Sequence, residues 1–177
     1  MQIEILRTPR LILREITADD AAFALDLLNQ PSFIKNIGDR GVRDLEQAAR
    51  FIEERFRKSY SDHGYGLYVV DLKADVDGIP HRTPIGICGF VRRAELPGPD
   101  IGFAFLPQYE RKGYGSESAK AMLQYGREQF GFERVLAITS LDNDASENLL
   151  LKLGFKYDGL THSSSDEKLK LFYYTYA

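Results

Sequence analysis

The sequence contains a single cysteine, Cys88, among its 177 residues. One cysteine cannot form an internal disulfide or a zinc site built from several cysteines. A free cysteine among apolar neighbours is usually a small buried side chain, and we expect that role here. The histidines His63, His81 and His162 lack metal-ligand spacing, so no metal site is predicted. A reducing compartment fits these features, and a cytoplasmic location is expected.

Long hydrophobic runs and a strong excess of one charge are also missing. No apolar run approaches the roughly 20 residues that span a bilayer, and the first residues lack the basic-then-apolar layout of a signal peptide. The 23 Lys and Arg against 26 Asp and Glu give a net charge of −3, which offers no support for a nucleic-acid-binding face. Neither a membrane nor a nucleic acid is therefore an expected partner.

The composition is that of an ordinary globular protein, with 44% hydrophobic and 28% charged residues. A chain of this length fits one domain, which we place at 1–177. We find no internal repeat, linker or low-complexity tract. An oligomeric state is not readable from the sequence, and a homodimer is expected only because homodimers are common.

Hydrophobic periodicity predicts the element order β-α-α-β-β-β-α-β-α-β-β. Hairpins precede a β-α-β crossover, so the sheet is expected to be mixed and the fold class α+β. A hairpin loop is predicted from Lys73 to Thr83, and Pro31 is expected to end the first helix. The predicted strands cover about 8–17, 67–72, 84–91, 101–106, 134–140, 155–160 and 169–176. The predicted helices cover about 22–28, 44 to the glycine-rich 63–66, 116–130 and 143–153.

The segment 106–118 carries the strongest chemical signal. A strand ends, a turn with Gly113 and Gly115 follows, and a helix begins. Glycines allow the backbone to approach a ligand closely, and the helix N-terminus adds partial positive charge, so backbone N–H groups can bind phosphate here. Arg111 and Lys112 add positive charge, while Ser116 can cap the helix or bond a phosphate oxygen.

Other interpretations of this segment fit less well. It could be a plain strand-to-helix turn with a solvated Arg-Lys pair. The Gly-x-x-x-x-Gly-Lys-Ser/Thr pattern of nucleotidases is absent, and Gly113-x-Gly115 begins a dinucleotide fingerprint whose third glycine position holds Ser118. Glu133 lies at about the right distance for such a fingerprint, but it precedes the next strand. A dinucleotide oxidoreductase is therefore disfavoured.

Three separated motifs together cover nearly the whole chain. They are Thr8-Pro9-Arg10-Leu11-Ile12-Leu13-Arg14; Pro107-x-Tyr109-x-x-Lys112-Gly113-Tyr114-Gly115; and Asn143-x-x-Ser146 followed by Lys152-Leu153-Gly154-Phe155. Together, and in this order, they resemble the motifs of the GNAT acetyltransferases, in the branch that includes ribosomal-protein alanine N-acetyltransferases.

The sequence departs from the family pattern at three positions. Glu110 stands where Gln or Arg is usual, and Arg111 stands where Gly is usual. Because phosphate contacts in such loops come mostly from backbone N–H groups, binding is expected to survive. Many relatives carry a tyrosine acid at the position of Leu150, so that acid is absent here.

The resemblance implies a GNAT-like three-layer fold, with about seven largely antiparallel strands flanked by about four helices. It implies an acetyl-CoA-dependent N-acetyltransferase, with acetyl-CoA as co-substrate and no metal. An amine, either a protein N-terminus or a small molecule, would attack the thioester directly in a ternary complex. The implied acetyl-CoA contacts are Phe105, Leu106, Arg111, Lys112, Gly113, Tyr114, Gly115, Ser116 and Asn143.

For catalysis, Asp100 is the expected general base and Ser146 the expected proton donor to the leaving thiolate. Glu95, Asp158 and Asp166 are weaker candidates for the base. Asn143 is expected to cap its helix as well as bond the pantetheine. A non-catalytic acyl-CoA-binding regulator remains the alternative, since the usual tyrosine is missing and the base is uncertain.

Overall fold

In the computed structural model, which describes residues 2–73, 78 and 80–177, eight strands form one sheet. Their order across the sheet is β1-β2-β3-β4-β5-β6-β8-β7, and every neighbouring pair is antiparallel except β5 and β6. The mixed α+β fold class is thus confirmed. The strands are β1 (Glu4–Arg7), β2 (Leu11–Arg14), β3 (Leu67–Leu72), β4 (Thr83–Arg92), β5 (Pro99–Phe105), β6 (Arg134–Ser140), β7 (Lys156–His162) and β8 (Lys168–Thr175).

Helices cover both faces of this sheet, as the three-layer expectation requires. One continuous helical stretch runs from Leu45 to His63 and contains a π-helical turn in its middle. It ends at Gly64, whose φ of 78° is readily adopted by glycine. The helices are α1 (Ala21–Leu28), α2 (Pro31–Asn36), α3 (Leu45–Phe51), the π-helical segment (Ile52–Arg57), α4 (Lys58–His63), α5 (Tyr114–Phe130) and α6 (Asp144–Leu153).

Two elements differ from the sequence expectation. The strand β1 adds an eighth strand, which pairs with β2 after the turn at Thr8 and Pro9. Pro31 does not simply end the first helix, because it opens α2 as its first residue. Proline suits that position, since its missing N–H would have no helical partner there. The predicted β3–β4 hairpin is confirmed, although residues 74–77 and 79 of its loop lie outside the described residues.

Two apolar cores lie on opposite faces of the sheet. On one face, α5 and α6 bury residues such as Met122 and Leu150 against the strands. On the other, α1 to α4 bury residues such as Leu28 and Ile52. Cys88 is fully buried, as expected. Each face of the sheet therefore has its own helical layer.

A buried ion-pair cluster ties β2 and β3 to the start of the first helical layer. The Arg14 guanidinium donates to Asp71 at 2.6 Å and to Asp20 at 2.8 and 2.9 Å. All three side chains are nearly inaccessible to solvent. Because each buried charge depends on the others for its hydrogen bonds, the cluster fixes how this layer sits on the sheet.

The one parallel pair of strands separates almost at once. Strands β5 and β6 share a single paired position, Asp100 opposite Leu136. The later residues of both strands, 101–105 and 137–140, are all described and form no further pairs with each other. Each strand stays paired on its outer side, to β4 and β8. The sheet therefore contains a wedge-shaped gap that is closed at Asp100 and open towards Phe105 and Ser140.

Candidate active site

The loop at the open end of the gap has the backbone shape of an anion site. After β5, a 3-10 turn spans Pro107–Tyr109, and α5 begins at Tyr114. Between them, Arg111 has φ of 60° and Gly113 has φ of 84°. Where residues with left-handed backbone conformation alternate with residues of right-handed conformation, successive N–H groups point towards the same place. Arg111 adopts this conformation against its steric preference, a strain typical of functional sites.

Several N–H groups of this loop are available to a ligand. Within the part of the chain that the structure describes, no acceptor meets the backbone N–H of Arg111, Gly113, Gly115 or Ser116. The 17-residue helix α5 adds partial positive charge at the same place. Gly113 occupies the cap position and Ser116 is the third helical residue. Of the two roles suggested for Ser116, the capping role is therefore wrong, and a bond to a phosphate oxygen stays a prediction. The chain turns into the helix two residues earlier than the sequence pattern indicates.

The loop is braced by the turn between β1 and β2. The Glu117 carboxylate accepts hydrogen bonds from the Thr8 hydroxyl at 2.6 Å and from Arg10 Nε at 2.7 Å. Arg10 Nη1 donates to the Lys112 carbonyl at 3.0 Å, and its guanidinium lies 4.5 Å from the Tyr114 ring centre. Burial opposes ionisation of Glu117, but the hydrogen bonds from Thr8 and Arg10 lower its pKa. Sequence analysis gave Thr8, Arg10 and Glu117 no part in the site.

At the start of α6, Asn143 and Ser146 form a closed pair. Asn143 Oδ1 accepts from the Ser146 N–H at 3.2 Å, so Asn143 caps the helix as expected. Its Nδ2 donates to Ser146 Oγ at 3.0 Å. Since Oγ accepts this hydrogen bond, the hydroxyl hydrogen of Ser146 can be donated elsewhere. Leu150, on the same helix, is buried in the core.

The candidate base Asp100 lies at the closed end of the gap, only 1% exposed. Arg93 Nε lies 3.2 Å from each carboxylate oxygen of Asp100. Burial raises the pKa of Asp100 to about 6, against the opposing effect of Arg93. This carboxylate is therefore buried and held by Arg93.

The two sides of the gap carry different groups. Side chains alternate along a strand, and Phe105 packs into the core beneath α5 and α6 whereas Ala104 packs into the core beneath α1 to α4. Asp100 shares the parity of Ala104 and therefore faces the α1 to α4 side. On that same side, the Ser140 hydroxyl donates to Asn36 Oδ1 at 3.3 Å, which places the end of α2 beside the gap.

A groove of about 590 Å³ lies between α5 and α6 and continues from the loop that precedes α5. It begins at Ser116 and includes Lys120 and Lys152, whose ammonium groups suit an anionic ligand. Tyr65, Tyr68 and Phe90 are buried in the core and do not line this groove.

Metal ligands do not cluster anywhere in the described ranges 2–73, 78 and 80–177, where no three His, Cys, Asp or Glu side chains could hold an ion. The helices of those ranges are also too short or too polar to cross a membrane.

Comparison with known proteins agrees with this geometry. The family described as acetyltransferase (GNAT) domain matches residues 10–156. The uncharacterized N-acetyltransferase YoaA of Bacillus subtilis is 31% identical over 88% of this chain and 85% of its own length. An acetyltransferase structure from Agrobacterium tumefaciens superposes with a TM-score of 0.79 at 23% identity, covering 97% of this chain and 94% of that one.

The structure of RimL, a ribosomal L7/L12 alpha-N-protein acetyltransferase in complex with coenzyme A, also has a TM-score of 0.79, at 15% identity and 97% coverage of both chains. Likeness at these identities shows a shared fold. With the family match over most of its length, the chain belongs to the GNAT acetyltransferase family, the acetyl-CoA-dependent acyltransferases.

Proposed function

We propose that this protein transfers an acetyl group from acetyl-CoA to a primary amine, which attacks the thioester directly while both substrates are bound. The observation that carries this proposal is the gap between β5 and β6 with an anion-binding loop at its open end. The amine acceptor is either a protein N-terminus or a small molecule.

The open end of the gap suits the coenzyme. The N–H groups from Arg111 to Ser116 would bind the pyrophosphate. The pantetheine arm is extended and rich in amides, so it can add like a strand to the free edge of β5 at Phe105. The backbone of Leu106, the other contact expected there, is already paired, because its N–H donates to the Ile85 carbonyl at 2.9 Å and its carbonyl accepts from Tyr109 at 3.0 Å. Asn143 lies across the gap at the start of α6 and would bond the same arm. This arrangement directs the thioester from the loop towards the closed end.

The closed end suits the amine. Asp100 faces the α1 to α4 side, opposite to the side on which α5 and α6 hold the coenzyme, so the two substrates would enter from different faces. A carboxylate whose pKa is about 6 is well matched to a free α-amine with a pKa near 8. Asp100 would accept the proton that the amine loses.

The proposed reaction is a single displacement in which every bond and proton is accounted for. The amine nitrogen forms a bond to the thioester carbonyl carbon, and the carbon–sulfur bond breaks. The amine proton passes to Asp100, and the leaving thiolate takes a proton from Ser146, which water restores. A backbone N–H of the open β5 edge would stabilise the oxyanion. Products are the N-acetylated amine and CoA.

Thermal unfolding with acetyl-CoA, with NAD and ATP as controls, tests the coenzyme site. We expect acetyl-CoA, and neither control, to raise the Tm, by an amount that keeps growing as its concentration exceeds the Kd. Gly113→Ala should weaken this rise, because the added Cβ would lie 3.2 Å from Arg10 Nη2 and strain the loop. Gly64→Ala is the matched control, since Gly64 has φ of 78° but is remote from the loop. No rise with millimolar acetyl-CoA would refute the proposal.

The alternative, a non-catalytic acyl-CoA-binding regulator, is favoured by one observation: buried Leu150 stands where relatives carry a tyrosine acid. CoA release with a panel of amines separates the two functions. An enzyme should lose rate when Asp100→Asn or Ser146→Ala is introduced while acetyl-CoA still raises its Tm. A regulator would show the same Tm rise and no amine-dependent release of CoA in any variant.

A further inference from the structure

One buried hydroxyl beside the gap makes no hydrogen bond that would stabilise the fold. Thr139 lies on β6 and is 6% exposed, and its Oγ1 has no hydrogen-bond partner among the described residues. Thr17 Oγ1 is the one other buried side-chain atom of the described chain in this condition. An unpaired buried hydroxyl opposes folding, because it loses hydrogen bonds to water without replacement. Such groups therefore call for an explanation.

The position of Thr139 points to the coenzyme side of the gap. Val135 and Ala137, which share its parity on β6, pack in the core beneath α5. Thr139 therefore faces the same layer, three residues beyond the last position where β6 pairs with β5, at Leu136. It also lies four residues before Asn143, the cap of α6. The hydroxyl is thus at the open half of the gap, on the face from which the coenzyme would enter.

The surroundings indicate a neutral polar ligand. The neighbouring side chains on this face of β6 are apolar, so a charged group would be poorly solvated there. A hydroxyl can both donate and accept a hydrogen bond, which matches an amide. The pantetheine arm of an acyl-CoA carries two amides and would pass this point on its way from the loop to Asp100.

We propose that the Thr139 hydroxyl hydrogen-bonds an amide of the pantetheine arm and so fixes how deeply the acyl group enters the gap. This inference rests on the proposed function, because it assumes that an acyl-CoA occupies the gap. It assigns Thr139 as a binding residue that neither the sequence motifs nor the helix caps indicate.

The test replaces the hydroxyl with a methyl group in Thr139→Val, which keeps the shape and β-branching of the side chain. Calorimetry would measure the affinity for acetyl-CoA and for adenosine 3′,5′-bisphosphate, which lacks the pantetheine arm. We expect acetyl-CoA to bind about 3- to 10-fold more weakly, the loss of one neutral hydrogen bond. Binding of the bisphosphate should not change. The Tm of the ligand-free variant should stay equal or rise, because an unpaired hydroxyl has been removed.

Thr17→Val is the matched control, since it removes the other unpaired buried hydroxyl at a site away from the gap. It should leave the affinity for acetyl-CoA unchanged. Unchanged acetyl-CoA affinity in Thr139→Val, an equal loss for both ligands, or a lower ligand-free Tm would each overturn the inference. If the wild-type protein binds acetyl-CoA no better than the bisphosphate, the arm has no site in the gap, and the proposed function fails together with the inference.

Discussion

Replacing Asp100 with asparagine should make the protein more stable and less active. The ordinary pKa of an aspartate is 3.8, and burial raises that of Asp100 to about 6. One pKa unit corresponds to about 1.4 kcal/mol, so the ionised carboxylate reduces the free energy of unfolding by about 3 kcal/mol at neutral pH. Asparagine keeps an oxygen that can accept from Arg93 Nε but carries no charge to bury.

The sign of the pH dependence follows from the raised pKa. Below about pH 4 the carboxyl group is protonated in both the folded and the unfolded chain, so its burial has little effect on stability. Between pH 4 and 6 the unfolded chain ionises first, and the wild-type protein loses stability as the pH rises. Above pH 6 the difference is constant. Asp100→Asn should therefore match the wild type near pH 4 and exceed its Tm by roughly 5–10 °C at pH 8.

Thermal unfolding between pH 4 and 8, together with CoA release at saturating acetyl-CoA, measures both effects. The wild-type rate should fall below about pH 6, whereas the variant should be slow at every pH. Asp158→Asn serves as a control, because Asp158 is exposed and its ion pair with Arg134 should contribute little. A loss of stability in Asp100→Asn at pH 8, or a difference that does not vary with pH, would show that Asp100 serves mainly as the structural partner of Arg93.

Two further substitutions test the framework around the site. Arg14→Met should reduce the free energy of unfolding by about 3–5 kcal/mol, since it leaves the buried carboxylates of Asp20 and Asp71 without their cation. Urea unfolding measures this free energy, and a loss below about 1 kcal/mol would contradict the prediction. Glu117→Gln should weaken acetyl-CoA binding about 3- to 10-fold by calorimetry, because it weakens the brace on the loop. Glu46→Gln, at an exposed position of α3 in the other helical layer, should leave binding unchanged, and an equal effect in both variants would argue against the brace.

The strands, the long helices and the loop before α5 were predictable, because each depends on short-range patterns in the sequence. Apolar periodicity reports burial, and Gly113 reports a left-handed backbone conformation that few other residues adopt. The same local reasoning misjudged Pro31, because proline can either follow a helix or open one. It also missed β1, a strand of only four residues that ends two positions before Pro9.

The remaining parts of the site depend on contacts between distant segments. Arg10 and Glu117 are 107 positions apart, and nothing in either local sequence indicates that they meet. Hydrophobic patterns show that 101–106 and 134–140 are strands, but not that the two strands separate after one paired position. The burial of Asp100 has the same origin, since it depends on the layers packed above and below the sheet.

The gap between β5 and β6 also bears on how the fold avoids self-association. Unpaired strand edges are templates for pairing with other chains, and exposed ones are an aggregation hazard. Here the two free edges face each other inside one sheet, between β5 and β6, and lie at neither outer border of that sheet. The backbone groups that can pair with an extended ligand are therefore kept away from the borders at which a second copy of the chain would most readily add a strand.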